Sequence, residues 1–265
     1  MNSNNIKLAL GDFYYSIAKP EIWFRLALQE IKQRYRRSVI GPFWITLSTA
    51  VMILLMGPLY SSIFNLEVGR YYKYISIGLV MWGFVTTSIN ESCLAFIDSE
   101  GLIKQVKLPF VVHVLKVLTK NLLLMAHNSL VILITFVIFI PPSINFSILL
   151  SILGFIFLIL NLLWIGLLMA TICARYRDIP PIVSSLLQVL FFVTPIIWEA
   201  GVFPGRRLII HLNPVYYFID SVRSPLLGNY PDPLCWIVIP SITFFGFIFT
   251  FFIFAKFRSK ISYWI

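Results

Sequence analysis

Residues 20–37 read P-E-I-W-F-R-L-A-L-Q-E-I-K-Q-R-Y-R-R, and the uncharged run F-W-I-T-L-S-T-A-V-M-I-L-L-M-G-P-L-Y follows at residues 43–60. The first segment has a helical period that separates two faces. One face carries Trp23, Ala27, Ile31 and Tyr35, and the other carries Arg25, Gln29, Lys32 and Arg36. The second segment is long enough to cross a hydrocarbon core of about 30 Å, which needs ~20 residues. The junction predicts a basic amphipathic helix at a membrane surface that leads into a membrane span.

The composition excludes an ordinary soluble domain. The chain is 59% hydrophobic and only 12% charged, with a mean hydropathy of +0.87, whereas soluble domains carry charge on about a quarter of their residues. The net charge of +10 does not indicate nucleic acid, because the basic residues flank apolar runs and are expected to contact anionic lipid. Cys93, Cys173 and Cys235 lie in or beside apolar runs and are expected to be small buried hydrophobes.

The apolar runs predict an all-α integral membrane protein with six transmembrane helices. The expected spans are 43–63, 74–97, 113–140, 146–173, 181–198 and 234–255. We expect one domain, 1–265. It comprises a cytoplasmic lead-in and interface helix (1–42), five spans (43–198), a gate-like external segment (199–233), the sixth span (234–255) and a cytoplasmic tail (256–265). No piece of 199–233 is long enough to span, so short re-entrant or interfacial helices are expected there.

A charged segment separates the second and third spans. It reads D-S-E-G-L-I-K-Q-V-K-L-P at residues 98–109. Asp98 or Ser99 is expected to cap a short helix, and Lys104 lies late in it, where a cation suits the helix dipole. Pro109 ends the helix.

The distribution of positive charge predicts the orientation. Sixteen of the 21 lysines and arginines lie in the amino-terminal segment, the second and fourth connections with their flanks, and the carboxyl-terminal tail. Because cytoplasmic segments carry the excess of Lys and Arg, both termini are expected in the cytoplasm. Lys116 and Lys120 are expected to extend toward that side from the third span.

Two polar residues leave alternatives open. Glu91 is either interfacial or an inward-facing functional group, because a carboxylate at the bilayer centre would cost roughly 2.5–3.5 kcal/mol. His127 is either hydrogen-bonded to a neighbouring helix or part of a proton relay.

The sequence contains no phosphate-binding loop, no metal-ligand spacing and no recognisable catalytic triad. We therefore expect no catalytic residue, no metal site and no cofactor within the chain. The predicted spans are nearly free of charge but rich in aromatic, Ser and Thr residues. Such a lining suits a neutral, bulky, hydroxylated substrate such as a sugar.

Five motifs, in order along the chain, resemble the permease subunit of polysaccharide ABC exporters, and the O-antigen permeases in particular. They are Y-R-R-S-V-I-G-P-F-W-I-T-L at 35–47, L-Y-S-S-I-F-N at 59–65, G-L-I-K-Q-V-K-L-P-F at 101–110, A-R-Y-R-D-I at 174–179, and N-P-V-Y-Y-F-I-D-S-V-R-S-P-L-L-G at 213–228. The resemblance implies a homodimer in the bacterial inner membrane, paired with a dimer of ATP-binding cassette subunits. Those subunits would bind ATP and Mg, and a lipid-linked polysaccharide would leave between the two permeases.

The resemblance also implies roles for individual residues. A coupling helix against the ATPase would contain Ser99, Glu100, Gly101, Leu102, Ile103 and Lys104. An interface helix would present Arg25, Lys32 and Arg36. Channel-lining rings would be Phe43, Trp44, Tyr60, Phe191, Phe192 and Trp198, and an external gate would include Asn213, Tyr216, Tyr217 and Arg223.

Other functions stay open at this point. The same architecture serves teichoic acid, capsular polysaccharide, lipids or drugs. A membrane-embedded transferase would need a cluster of carboxylates or histidines at one membrane face, and Glu199, Asp220 and His211 match no known motif. A stand-alone channel or ion-coupled carrier would need charges within its spans.

Overall fold

The computed structural model describes residues 3–139, 146–202 and 207–265, and every regular element in these ranges is a helix. The helices are α1 (Ser3–Ala18), α2 (Pro20–Arg34), α3 (Phe43–Ile63), α4 (Val68–Leu94), α5 (Glu100–Gln105), α6 (Phe110–Ile138), α7 (Ser147–Arg175), α8 (Ile179–Val193), α9 (Arg207–Leu212), α10 (Pro214–Leu226) and α11 (Cys235–Trp264). The end of the expected third span at residue 140 and Arg206 lie outside the described residues.

Helix α4 is the centre of the bundle, and it packs against α3, α6, α7, α8 and α10. Most of its side chains are buried, including Tyr71, Tyr74, Trp82 and Phe84. Several of its hydroxyl groups bond to protein, as Ser76 Oγ does with Thr135 Oγ1 of α6 at 3.1 Å. The buried Ser88 Oγ has no hydrogen-bond partner among the described residues. A helix that is surrounded by other helices does not need an apolar outer surface, so α4 tolerates polar residues.

Four helices are long and apolar enough to cross a membrane: Phe43–Ile63, Phe110–Ile138, Ser147–Arg175 and Cys235–Trp264. They correspond to the first, third, fourth and sixth expected spans. Helix α4 is also long, at 27 residues, but it is more polar. Helix α8 is apolar but has only 15 residues. The chain is therefore a multi-pass membrane protein with four candidate spans among the described residues.

The expected fifth span, 181–198, is wrong as a single continuous helix. Helix α8 ends at Val193, and Thr194 has an extended backbone with φ −81° and ψ 136°. The residue before a proline avoids the helical region, and Pro195 has no amide hydrogen to continue the ladder. The chain from Thr194 to Trp198 is therefore not helical.

The expected lead-in at residues 1–19 contains a helix that the sequence analysis does not predict, because residues 3–18 form α1. Both oxygens of the Asp12 carboxylate accept hydrogen bonds from Arg258 of α11, at 2.8 and 2.9 Å. This bidentate pair joins the two ends of the chain. It also explains why α11 continues to Trp264 instead of ending near residue 255, since its last turns have a protein partner.

The region before α11 forms the two short helices that the sequence predicts. Asn213 caps α10, because its side-chain oxygen accepts a hydrogen bond from Val215 N at 3.0 Å. Helix α10 packs against α7, α11 and α4, so protein covers its backbone. This cover is the condition under which a short helix is stable at membrane depth.

The contact between α7 and α10 depends on a glycine. A Cβ atom on Gly154 would lie 2.6 Å from the carbonyl oxygen of Ser221. We expect Gly154→Ala to reduce the free energy of unfolding by about 1–3 kcal/mol, since backbone atoms have to move. The melting temperature of the purified protein in detergent measures this.

The control is Gly11→Ala on α1, where no atom lies within 4 Å of the added carbon. Alanine is the better helix former there. Equal melting temperatures for the two variants would contradict the close approach of α7 and α10.

Candidate functional site

A groove with a volume of about 600 Å³ runs between α3, α4 and α8. Its walls mix aromatic rings with hydroxyl and amide groups. They are formed by Thr49, Met52, Leu79, Trp82, Gly83, Thr86, Asn90, Ser184, Leu187, Gln188, Phe191 and Phe192. The volume falls within the range of about 300–1,000 Å³ that small-molecule sites occupy.

The rings in this groove form a connected series. Phe191 lies 5.7 Å from Trp82, centroid to centroid, and 5.3 Å from Phe192 in an edge-to-face arrangement. Phe192 is 71% exposed. Rings can pack against the C–H faces of a sugar, while the neighbouring amide and hydroxyl groups can bond its hydroxyls. The groove therefore has the chemistry of a site for a neutral, hydroxylated ligand.

The structure brings only part of the expected channel-lining set to this groove. Phe191 and Phe192 line it, and Trp198 lies close because its Nε1 donates to Phe192 O at 3.2 Å. Phe43 is the first residue of α3. Its ring packs edge-to-face with the His127 ring, with 5.5 Å between ring centroids, and Trp44 is exposed beside it.

Tyr60 lies near the end of α3, stacked against Phe64 with 5.9 Å between ring centroids. The sequence argument missed the α4 contribution, Trp82, Thr86 and Asn90. These residues share one helical face at i, i+4 and i+8, and this spacing was the available signal.

Near α5, the side chains of α2, α4 and α6 form an ion-pair cluster. Glu30 of α2 pairs with Lys116 at 2.8 Å and with Lys120, both on α6. Glu91 of α4 pairs with Lys120 at 2.9 Å and with Arg34 of α2 at 2.8 Å. The chain of pairs fixes α2 against the bundle.

The opposite charges in this cluster stabilise the ionised forms of their partners. Burial alone would raise the pKa of Glu30, but hydrogen bonds from Lys116 and Lys120 outweigh it and hold the pKa below its ordinary value. Burial likewise would lower the pKa of Arg34, and the hydrogen bond to Glu91 raises it instead. Asp98 is different, because burial raises its pKa despite the nearby Lys116.

The structure shows the surroundings of Lys120, Glu91 and His127. The Lys120 side chain is only 3% exposed, and it lies between the carboxylates of Glu30 on α2 and Glu91 on α4. Glu91 faces protein, where Asn121 Nδ2 also donates to it at 2.9 Å. His127 bonds Leu123 O of its own helix at 2.8 Å instead of a neighbouring helix.

Helix α5 lies next to this cluster. Ser99 occupies its N-cap position without a side-chain cap bond, and its Oγ accepts instead from Lys116 at 3.4 Å. Lys104 pairs with Glu100 at 2.6 Å on the exposed side, and this hydrogen bond lowers the pKa of Glu100. Gly101 is also exposed, with open space around it. Leu102 and Ile103 are partly buried on the inner side.

Arg25 and Lys32 are exposed along α2, and Arg36 is exposed in the turn that follows it. Helix α2 contacts α6 through its other side, where Ala27 is fully buried. The two faces predicted from the period of this segment are thus present. The three basic side chains are available for contacts outside the bundle.

The residues expected at an external gate lie at the opposite end of α4, roughly 40 Å away at 1.5 Å per residue. Tyr216 and Tyr217 pack edge-to-face at 5.3 Å. Asn213 Nδ2 donates to Thr194 Oγ1 at 2.7 Å. Arg223 is 3% exposed, so it is an interior residue and not a loop charge.

The sequence of the chain matches the ABC-2 type transporter family over residues 22–227. The chain belongs to the ABC-2 family. Membership of this family implies a membrane-embedded transport subunit that pairs with an ATP-binding subunit. The match includes the interface segment, the cluster, α5, the groove and α10.

Curated relatives are more specific. This ABC-2 chain is 25% identical over 202 residues to the O-antigen export system permease protein RfbA of Myxococcus xanthus, covering 75% of this chain and 77% of that protein. It is 22% and 24% identical to two proteins of the same name from Klebsiella pneumoniae, over 76% of this chain and 78% of each relative.

Within the described ranges, no group of three or more His, Cys, Asp or Glu side chains is placed to bind a metal. The three cysteines are buried and unpaired by disulfides.

The ion-pair cluster makes a prediction about stability. Lys120→Met leaves two partly buried carboxylates without their shared cation. We therefore expect the free energy of unfolding to fall by on the order of 3 kcal/mol. Unfolding of the purified subunit in mixed micelles measures this free energy.

Lys104→Met is the control, because it removes an exposed lysine from an ion pair that solvent screens. We expect no measurable change in the free energy of unfolding for that variant. A Lys120→Met protein as stable as the parent would show that the cluster does not hold α2 in place.

Proposed function

We propose that this chain is the permease of an ATP-driven exporter that moves lipid-linked O-antigen polysaccharide across the bacterial inner membrane. The observation that carries the proposal is the aromatic and polar groove between α3, α4 and α8, in a chain similar to O-antigen export permeases. A polysaccharide is neutral along much of its length and rich in hydroxyls, which is the chemistry that this groove accommodates.

The proposal includes six spans, with α4 and α8 joining the four apolar helices. At about 1.5 Å per residue, α4 reaches ~40 Å and α8 ~22 Å, and the extended residues 194–198 add to the reach of α8. Both termini then lie in the cytoplasm, as the positive-inside rule requires. The α5 end faces the cytoplasm and the α10 end faces outward.

The proposal also includes a homodimer. Helices α3 and α8 border the groove, and each exposes large apolar side chains, among them Leu55, Leu59, Leu186, Val189 and Phe192. A second copy placed against these faces turns two open grooves into one closed path. The polymer crosses along this path, between the two permeases.

Two copies of an ATP-binding cassette subunit, which hold ATP and Mg, complete the transporter. They contact α5 and the exposed basic face of α2. When ATP binding closes the partner dimer, the push on α5 reaches the bundle through the adjoining cluster, where Glu30, Glu91 and Lys120 join α2, α4 and α6. The resulting rigid-body movement opens the path, and hydrolysis resets it.

The substrate is tested in the host cell. Deletion of the gene should abolish O-polysaccharide on the cell surface. The lipid-linked polymer that is not exported should accumulate inside the cell. Reintroduction of the chain should restore the surface polymer, as measured by gel electrophoresis of lipopolysaccharide. Unchanged surface O-polysaccharide in the deletion strain would exclude this substrate.

Helix α5 gives a separate prediction. Gly101→Trp or Glu100→Lys should abolish export and uncouple ATPase activity from substrate, because both residues are exposed on the proposed contact with the partner. Gly11→Trp adds the same bulk at another exposed glycine with open space around it, and it should export normally. Normal export and ATPase activity in the two α5 variants would contradict the coupling role.

A further inference from the structure

A second polar cavity lies at the α10 end, separate from the groove, with a volume of about 490 Å³. It is enclosed by the start of α4, the turn Ala200–Val202 and α10. Its lining residues are Glu67, Arg70, Lys73, Tyr74, Glu199, Ala200, Gly201, Tyr216, Asp220, Arg223, Ser224, Leu227 and Asn229. Carboxylates, cations, hydroxyls and one amide thus surround a space of ligand size.

The charges that line the cavity balance. Three carboxylates, Glu67, Glu199 and Asp220, face three cations, Arg70, Lys73 and Arg223. A site for a phosphate or for a metal would have an excess of one sign. A balanced set offers many donors and acceptors without net charge, and this favours a neutral ligand that both donates and accepts hydrogen bonds.

One wall of the cavity is rigid before any ligand arrives. The guanidinium of Arg223 lies over the Tyr74 ring at 4.0 Å and donates to Pro195 O at 2.7 Å. Tyr74 Oη donates to Pro195 O and Trp198 O, at 3.0 and 2.9 Å. Buried groups held in this way keep their positions, so little ordering is needed on binding.

Helix α10 also contributes Asp220, which is 7% exposed. Its Oδ1 accepts from Ser224 Oγ at 2.6 Å, and its Oδ2 accepts from Asp232 N at 3.3 Å. These bonds fix the carboxylate on α10. They also place the Ser224 hydroxyl and the carboxylate side by side on the lining.

Glu199 has unused bonding capacity. Its Oε2 accepts from Arg70 at 3.0 Å, while its Oε1 is buried and has no hydrogen-bond partner among the described residues. A buried carboxylate oxygen without a donor is costly. The Glu199 side chain as a whole is 16% exposed and lines the cavity, so its carboxylate can accept a further hydrogen bond from a ligand hydroxyl.

We propose that the cavity between Glu199, Arg70 and Asp220 binds a neutral sugar unit, with the Glu199 carboxylate accepting a hydrogen bond from a sugar hydroxyl. The proposal rests on the proposed function for its biological role, because a sugar site at this end would hold the polymer as it leaves the membrane. The site itself stands on the geometry of the cavity.

The cavity can be probed through a single introduced thiol. Gly201 lines the cavity and is exposed, whereas the three native cysteines are buried. In the Gly201→Cys variant, short oligosaccharides hydrolysed from the host's own O-polysaccharide should slow alkylation of the new thiol several-fold. The reference is Gly101→Cys on α5, an exposed position far from the cavity, where the same sugars should have no effect.

Glu199→Gln in the Gly201→Cys background should raise the sugar concentration needed for protection roughly ten-fold, since one charge-assisted hydrogen bond is lost. Glu67→Gln is a second variant at the rim, for use if the first fails to fold. Glu21→Gln, an exposed carboxylate on α2, is the matched control and should leave protection unchanged.

Two results would overturn the site: no protection at Gly201→Cys by any of these sugars, or equal protection with and without the Glu199 carboxylate. Both differ from failure of the proposed function. If gene deletion leaves the surface polymer intact but sugars still protect Gly201→Cys, the export assignment fails and the sugar site stands. If deletion removes the polymer and no sugar protects, the site alone is wrong.

Discussion

The fold depends on one constraint, which is that the polar groups of the central helix must find partners within the protein because lipid supplies none. Helix α4 meets it at both ends, and the buried Ser88 hydroxyl is an exception among the described residues. Tyr74 bonds the backbone after α8, Ser76 bonds Thr135, and Glu91 joins the ion pairs near α5. The neighbouring helices therefore provide hydrogen-bond and ion-pair partners for α4. Their own outer faces can be almost entirely apolar.

The same constraint places the functional chemistry. Polar groups collect where α4 begins and where it ends, roughly 40 Å apart, and the groove lies between these two regions. At one end, Lys120 is held by carboxylates from two different helices. At the other, Arg223 is held by a ring and a carbonyl.

Much of the fold was predictable from local sequence patterns. The helical period of residues 20–37 predicted the faces of α2, and the uncharged run at 43–63 predicted α3 with its bounds. Pro109 and the charges around it predicted a short helix between spans. The groove was predicted only in part: Phe191 and Phe192 line it, but Trp82 and Asn90 on α4 were missed because their role depends on which side of α4 faces α3 and α8.

The sequence by itself determined the faces of α2, the four apolar spans and the ABC-2 family, because hydrophobic periodicity, proline positions and family motifs are local properties of the chain. Only the tertiary structure decided that Lys120 lies inside, that Arg223 is an interior residue and that Asp12 meets Arg258. Each of these depends on a partner far away in the chain, 246 residues for the last pair. Burial and pairing of a charge depend on what surrounds it in space, and residue type alone does not specify those surroundings.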